Sequence, residues 1–318
     1  MNWSSPNGLS EAESAVIKTL AYFGSVGQTM KKEDVWGWLY RPSFDFSRED
    51  IGKAIEELIV RRIVRAEDGN ISLEVVDENE IRIAIREAAE RKYKIAGRFA
   101  KYLAWIPGIR GIAVCNTLAW DVVAEDSDID LFIITRPGAI WLARLFAAFP
   151  LRLFRARPGD KTRDPICLSF FITDEALDIS ELRILPDDPY LAYWTRSLVA
   201  LADDGVFNDF TKSNDWAKNA LPNSPSAIGA VERYFLCSTI FRLNTLLYGM
   251  LRSSGLLSLL EKSARKIQEK MFPKKIKELA NKSTDVVVND KTLKFHTDDA
   301  RRNICEKWKL LRDTATPV

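Results

Sequence analysis

The sequence has 318 residues, of which 47% are hydrophobic and 28% are charged, so it is long enough for two or three domains with hydrophobic cores. Its formal net charge of +2 argues against a strong overall attraction to nucleic acid or membranes. The four cysteines are scattered without a CxxC pair, which favours reduced thiols in a cytoplasmic protein over a disulfide framework or a zinc site. Because His296 is the only histidine, sites that need a histidine pair are excluded.

Residues 1–76 predict a small N-terminal domain with three helices and a hairpin. Capping-box pairs precede the first and third helices, and they are Ser10 with Glu13 and Ser47 with Asp50. A second helix is expected near Lys31–Leu39, and Asp68-Gly69-Asn70 predicts the hairpin turn. This order of elements resembles a winged-helix domain.

The resemblance implies that the third helix, Ile51–Arg62, contacts DNA in those family members that bind it. Here basic and acidic residues are mixed on and around that helix, so the attraction to phosphates would be weak. Protein contact or scaffolding is therefore expected ahead of DNA binding.

The remaining chain divides into three parts, which gives an α+β fold. Residues 77–105 predict one connecting helix, rich in Glu, Arg, Lys and Ala. Residues 106–222 predict a mixed sheet flanked by helices, with helical spacing over Asp188–Asp203. After the linker Pro222–Pro225, residues 223–318 predict a mostly helical C-terminal region.

Two carboxylates, Asp128 and Asp130, lie two residues apart where the sequence has the composition of a buried strand. Alternate residues of a strand point to the same face, so the two side chains are expected side by side. Two like charges this close are costly unless a cation lies between them, and a divalent metal is the usual answer. A polar turn at Ser127 would explain Asp128, but it explains Asp130 poorly because Ile129 and Leu131 flank that residue.

Upstream of the pair, the short strand Gly111–Val114 ends at Cys115-Asn116, and Thr117–Trp120 predicts the start of a helix. Asn116 is expected to cap this helix and to close the strand-to-helix turn. The free N–H groups at a helix start suit a phosphate. The alternative is that Asn116 only caps the helix.

This order of strand, small polar turn, short helix and Ser-Asp-Ile-Asp-Leu resembles the nucleotidyltransferase superfamily, which includes DNA polymerase beta and kanamycin nucleotidyltransferase. The resemblance covers about Ile109–Ser180. It implies a Gly-Ser pair that holds a nucleoside triphosphate, paired acids that bind two magnesium ions, and a third acid that helps to activate an acceptor hydroxyl. Asp128 and Asp130 match the paired acids.

The sequence departs from that pattern at two points. Cys115-Asn116 replaces the Gly-Ser pair, which removes the close backbone approach that glycine permits. The expected partner strand, Ile166–Thr173, carries no carboxylate. Asp178, which follows that strand, is our candidate for the third acid, and an ordinary exposed acid is the equally weighted alternative.

Residues near the turn and two cations of a polar loop form the predicted nucleotide side of the site. They are Cys115, Asn116, Thr117, Ser127, Lys161 and Arg163. The two loop cations precede the partner strand, and cations commonly contact phosphates. For each of them, a solvated loop is the alternative.

The C-terminal region contains two chemically notable segments. Lys262–Lys282 is strongly basic, which suits RNA, DNA or an anionic acceptor, although a solvated helix face is the commoner explanation. His296 is a candidate base for the acceptor site, and a hydrogen-bonded structural histidine is the default.

The most apolar stretches, Ala139–Phe149 and Phe235–Leu260, are too short or too interrupted by polar residues to span a membrane. Both are therefore expected to be buried helices. Met1–Pro6 lacks the basic and then apolar run of a targeting signal. No membrane partner is expected, and the expected location is cytoplasmic.

The sequence therefore predicts a nucleotidyltransferase-like enzyme with Mg²⁺ as cofactor, held by Asp128 and Asp130. It would transfer a nucleoside monophosphate from a nucleoside triphosphate to a hydroxyl on a small molecule, a protein or an RNA end. The alternative is a degenerate member that binds nucleotide without turnover, as a sensor or interaction module. The two departures favour the alternative, and the retained acid pair favours the enzyme.

Overall fold

A mixed six-stranded sheet flanked by helices forms the centre of the fold, and a three-stranded sheet accompanies the N-terminal helices. The computed structural model describes residues 8–77, 86–160, 162–225 and 238–316. Within them α-helices and β-strands are mixed along the chain, as predicted.

The predicted N-terminal helices and hairpin occur in the predicted order, but a short strand that was not predicted is added and the second helix is a 3₁₀ helix. The elements are helix α1 (Glu11–Ser25), strand β1 (Met30–Lys31), a 3₁₀ helix (Lys32–Trp38), helix α2 (Arg48–Val60) and strands β2 (Val64–Glu67) and β3 (Asn70–Leu73). Both predicted capping boxes are present, before α1 and before α2. The predicted hairpin turn is confirmed, because Asp68 and Gly69 join β2 to β3 with φ angles of 48° and 77°.

The central sheet contains β4 (Ile109–Val114), β5 (Ile129–Thr135), β6 (Ile166–Thr173), β7 (Val199–Asp203), β8 (Val286–Val288) and β9 (Thr292–Phe295). The helices after α2 are α3 (Arg86–Leu103), α4 (Asn116–Ala119), α5 (Ile140–Leu153), α6 (Pro189–Ser197), α7 (Val206–Ser213), α8 (Asp215–Ala220), α9 (Ser238–Ser253), α10 (Leu256–Met271), α11 (Lys274–Leu279) and α12 (Arg301–Ala315).

The sheet has the strand order β7-β4-β5-β6-β9-β8, in which only the β5–β6 pair is parallel. Because β4 runs antiparallel to β5, the end of β4 lies beside the start of β5. Strand β6 starts at the same edge of the sheet, with Cys167 in register with Asp130. This edge therefore brings the strand-to-helix turn and the acid pair together.

Long-range pairing changes two predicted helical segments. Helix α6 ends at Ser197, and Val199–Asp203 forms β7, which pairs with β4 at one side of the sheet. The C-terminal region contributes β8 and β9, and β9 pairs with β6 at the other side. The connecting helix is confirmed as α3 over its described residues, whereas positions 78–85 lie outside them.

The N-terminal elements share a hydrophobic core with later parts of the chain. Helix α1 packs against α12, and Trp308 Nε1 donates to the carbonyl of Lys18 at 3.0 Å. The ring of Tyr22 stacks on Tyr193 of α6 with 3.9 Å between the centroids. Residues 8–76 are thus joined to later parts of the chain by a continuous apolar contact.

The expectation that the two most apolar stretches are buried helices is wrong in part. Trp141 of α5 is fully buried, but Phe146 and Phe149 on the same helix are exposed. Helix α9 likewise exposes Leu246 and Met250. Among the described residues, no helix combines the length and the apolar character that crossing a membrane requires.

Candidate functional site

The acid pair lies at the edge of the sheet where β5 begins. Asp128 directly precedes β5 and Asp130 is its second residue, and both side chains are half-buried. The backbone N–H of Cys115 donates to the carbonyl of Asp130 at 3.2 Å, which ties the end of β4 to the pair. Burial raises the pKa of both carboxyls, and the charge of Asp130 further raises the pKa of Asp128. The pair is therefore partly desolvated and mutually repulsive.

Asn116 connects the acid pair to α6. It has a φ of 58°, in the left-handed region that asparagine tolerates better than most residues. The hydroxyl of Tyr190 donates to Asn116 Oδ1 at 3.0 Å, which leaves the side-chain amide to donate to Asp130. This second bond lowers the pKa of Asp130, although the effect of burial is larger.

The prediction that Asn116 caps the following helix is wrong. Cys115 is the residue before α4, and no side chain caps that helix. Helix α4 has four residues, so its dipole is too short to support the phosphate argument made from the sequence. Thr117 lies in this turn, where its carbonyl accepts from the N–H of Val122 at 3.1 Å.

The loop that carries Asp128 is held from α3 by Lys92, whose side chain is fully buried. Lys92 Nζ donates to the carbonyls of Glu125 and Ser127 and forms an ion pair with Asp164 at 3.0 Å. Its charge lowers the pKa of Asp128, against the larger effect of burial. Sequence reasoning missed Lys92, although it lies on the apolar stripe of α3 with Ala88 and Ala96 and so was a candidate for burial.

The loop residues that were predicted to contact nucleotide have other partners here. Ser127 Oγ donates to the carbonyl of Ala124 at 2.9 Å. Arg163 is ion-paired with Glu125, and its Nε donates to Oε1 at 2.9 Å. Lys161 lies outside the described residues.

Among the described residues, Asp178 is not grouped with the acid pair as a third metal ligand. Strand β6 runs from Cys167, beside Asp130, to Thr173, a distance of roughly 20 Å. The chain then turns, because the N–H of Ala176 donates to the carbonyl of Thr173, and the two residues that follow span at most about 7 Å. Asp178 accepts a hydrogen bond from the N–H of Ser180 at 2.8 Å instead.

A hydrogen-bonded series of side chains runs from the acid pair to His296. A β-bulge in β6 follows Cys167, because Asp130 pairs with Cys167 but Phe132 pairs with Phe170. The thiol of Cys167 donates to Asp130, the hydroxyl of Ser169 donates to that thiol, and Ser169 Oγ lies 3.1 Å from His296 Nε2.

The imidazole of His296 ends this series through its Nε2 atom. Ser169 Oγ and His296 Nε2 are within hydrogen-bond distance, and the tautomer of the imidazole decides which of the two atoms donates. His296 Nδ1 is buried and has no hydrogen-bond partner in the part of the chain that the structure describes. Burial, together with the charges of Lys294 and Arg301, lowers the pKa of His296 to about 4.

The charged residues around His296 form a buried network that joins β9 to α12. Lys294 Nζ lies 2.9 Å from Asp299 Oδ2, and Arg301 Nε lies 2.8 Å from the same oxygen. Arg301 also donates to the carbonyl of Leu182 at 2.7 Å. The dense polar sequence around His296 is therefore mainly satisfied internally.

The donor set at the acid pair suits a magnesium ion only if other ligands complete its coordination. In the described ranges, no three or more His, Cys, Asp or Glu side chains are grouped so as to hold a metal. Mg²⁺ is usually bound by one or two carboxylates, with waters and substrate phosphates as the remaining ligands. Asp128 and Asp130 fit that smaller role.

A large open cleft of about 640 Å³ lies in the N-terminal elements, away from the acid pair. It is bordered by the 3₁₀ helix, by α2 and by the hairpin turn at Gly69, and Arg48 and Trp36 lie in its wall.

Comparisons of the chain with protein-family models, with curated proteins and with solved structures found no match.

Proposed function

We propose that the chain is a nucleotidyltransferase-like protein that binds a magnesium nucleoside triphosphate at Asp128 and Asp130 and transfers the nucleoside monophosphate to a hydroxyl acceptor. The acid pair is the observation that carries this proposal. Its two carboxyls repel each other, are partly desolvated and form no ion pair with a described residue. Such an arrangement is unfavourable unless a cation is bound.

Each neighbouring residue has a role in this proposal. The Asn116 amide orients Asp130, and Lys92 fixes the loop that presents Asp128. Cys115 and Thr117 border the turn where the nucleotide would bind. Magnesium held by the two carboxylates would neutralise the charge on the phosphates during transfer. Arg163 would contact the triphosphate only after leaving Glu125.

The second candidate is binding of nucleotide without transfer, as in a sensor. Cys167 lies at the register position beside Asp130, and Asp178 is not grouped with the pair as a metal ligand. Within the described ranges, no third His, Cys, Asp or Glu side chain is grouped with the pair so as to hold a metal, so the third acid of the predicted site is missing. This observation favours the sensor, whereas the unpaired carboxylates favour the enzyme.

Calorimetric titration of the four ribonucleoside triphosphates with Mg²⁺ tests both candidates. The test variant is Asp128→Asn with Asp130→Asn, and Asp126→Asn is the matched control because it removes one exposed charge from the same loop. Binding lost only in the test variant, with labelled product formed from an α-labelled triphosphate and cell extract, supports the enzyme. Binding without product supports the sensor, and no binding by the parent chain contradicts both.

The N-terminal elements are proposed to form a winged-helix unit that contacts protein rather than DNA. Their order and the β2–β3 hairpin support the winged-helix assignment. Lys53 is paired with Glu49 at 2.7 Å, and Lys32 is paired with Glu56, so acids offset two cations on and beside α2.

A cytoplasmic location is proposed because the described cysteines Cys115, Cys167 and Cys305 are free thiols.

A further inference from the structure

Helices α5 and α10, with Phe154 directly after α5, expose many large apolar side chains. They are Phe146, Phe149, Leu153, Phe154, Leu256, Leu259, Ile267 and Met271, and we call them the α5–α10 surface. Phe146, Phe149 and Leu153 are spaced three and four residues apart, which places them on one stripe of α5. Phe149 is 62% exposed, and Phe154 is 75% exposed.

The two helices are packed against each other, so their exposed residues lie on adjoining helices. Gln268 Nε2 of α10 donates to the carbonyl of Trp141 at 2.7 Å, and Arg144 of α5 donates to Gln268 Oε1 at 2.7 Å. At the far end of α5, Arg152 Nη1 lies 3.7 Å from Met271 Sδ. With roughly 100 Å² of each side chain exposed, the eight side chains together expose on the order of 800 Å². Apolar patches of soluble monomers are usually smaller.

Basic side chains border this surface. They are Arg152, Arg155, Lys262, Lys266 and Lys270, all exposed. The three lysines repeat every four residues along α10, beside its exposed apolar stripe. None of the three lysines forms an ion pair with an acid of the described residues, so their charge is available to a partner.

We propose that the α5–α10 surface docks on an anionic lipid membrane. Phenylalanine and leucine side chains enter the boundary between head groups and acyl chains, while neighbouring lysine and arginine contact anionic head groups. A second copy of this chain is a poorer partner, because a two-fold contact would bring the same basic border against itself. The expectation of no membrane partner depended on the lack of a spanning segment and on the small net charge of +2. Surface docking needs no spanning segment, and it depends on local rather than net charge.

Sedimentation of the full chain with vesicles tests the proposal. We expect binding to phosphatidylcholine vesicles that contain about 30% phosphatidylglycerol, and at least about 10-fold weaker binding to pure phosphatidylcholine. Phe149→Asp with Leu153→Asp should weaken binding to anionic vesicles at least about 10-fold. Val60→Asp is the matched control, because Val60 is exposed on α2, outside the surface.

A second variant, Lys262→Glu with Lys266→Glu, tests the basic border. It should bind anionic and pure phosphatidylcholine vesicles equally. Thermal melting and circular dichroism establish that each variant is folded. Equal binding of the parent chain and the Phe149→Asp, Leu153→Asp variant to vesicles would overturn the proposal. Absent vesicle binding would also overturn the proposal in two cases. In the first, light scattering shows a dimer of the parent chain that the Phe149→Asp, Leu153→Asp variant does not form. In the second, the parent chain binds RNA and the Lys262→Glu, Lys266→Glu variant does not.

Discussion

Asp130 lies beside Cys167 across the parallel β5–β6 ladder, and the thiol donates a hydrogen bond to the carboxylate. Burial and the charge of Asp130 raise the pKa of Cys167 to about 12, so the thiol keeps its proton near neutral pH. A carboxylate at this register position would join Asp128 and Asp130 as a third acid. The thiol instead leaves a site with two carboxylates, one of which is held by two hydrogen-bond donors.

Replacing Cys167 with aspartate should strengthen Mg²⁺ binding about 10-fold, because a third oxygen ligand and a third negative charge are added. Without Mg²⁺ the variant should lose about 1–2 kcal/mol of unfolding free energy through repulsion among the three carboxylates. Saturating Mg²⁺ should restore that stability. Calorimetry and melting curves with and without Mg²⁺ measure both effects. Cys167→Ser is the control, since it keeps a donor and adds no charge, and equal affinities in the two variants would contradict the prediction.

The raised pKa values of Asp128 and Asp130 predict that their ionisation destabilises the folded chain. The folded state binds these protons more tightly than the unfolded state, so this destabilisation is relieved as the pH falls through the raised pKa values. Asp130→Asn should therefore stabilise the metal-free chain at pH 7 by about 1 kcal/mol.

Urea denaturation in the presence of a chelator measures the difference in unfolding free energy between the parent chain and Asp130→Asn. The difference should be present at neutral pH and should vanish at pH about 3, because Asp130 is then protonated in both the folded and the unfolded state. Asp126→Asn provides the comparison, since Asp126 is exposed in the same loop. A less stable Asp130→Asn chain at neutral pH would show that the carboxylate contributes to folding rather than to a site.

Replacing Lys92 with methionine should cost about 3 kcal/mol of unfolding free energy, because Asp164 and two carbonyls would lose a buried donor. Affinity for Mg²⁺ should fall as well, since the loop that presents Asp128 is no longer tied to α3. Chemical denaturation and calorimetry measure the two effects. Lys94→Met, an exposed position one half-turn away, should change stability by less than about 0.5 kcal/mol. Equal losses in both variants would contradict this role for Lys92.

The parts of the structure that depend on local sequence were predictable. Strands β4, β5 and β6, the hairpin turn at Gly69 and the two capping boxes depend on neighbouring residues, and each is present. Strands β7 and β9 were missed because they form by pairing with distant strands. Helical and strand spacing are also hard to distinguish in short apolar runs such as Val199–Asp203.

In the candidate site, only the central acid pair could be predicted, because it alone depends on residues that are neighbours in the sequence. Asp128 and Asp130 follow from a two-residue spacing within one strand. Lys92 is 35 residues from Ser127 in sequence, and its role depends on how α3 packs under the loop. Asp178 is close to β6 in sequence, but the length of that strand carries it away from the pair. Sequence spacing thus identified the candidate acid pair but not the residues that hold it in place.

The lowered pKa of His296, to about 4 from an ordinary value of 6.5, predicts a loss of stability in acid. The neutral imidazole is buried against Ser169 and faces Lys294, Arg301 and Asp299, so the unfolded chain takes up a proton before the folded chain does. This contribution is present above pH 6.5 and is lost as the pH falls to about 4, by up to about 3 kcal/mol. His296→Gln keeps a side chain that can hydrogen-bond to Ser169 and does not titrate, so the unfolding free energy of this variant should fall less over that range. Because the chain has a single histidine, NMR titration of the imidazole checks the pKa directly, and a value near 6.5 would contradict this account.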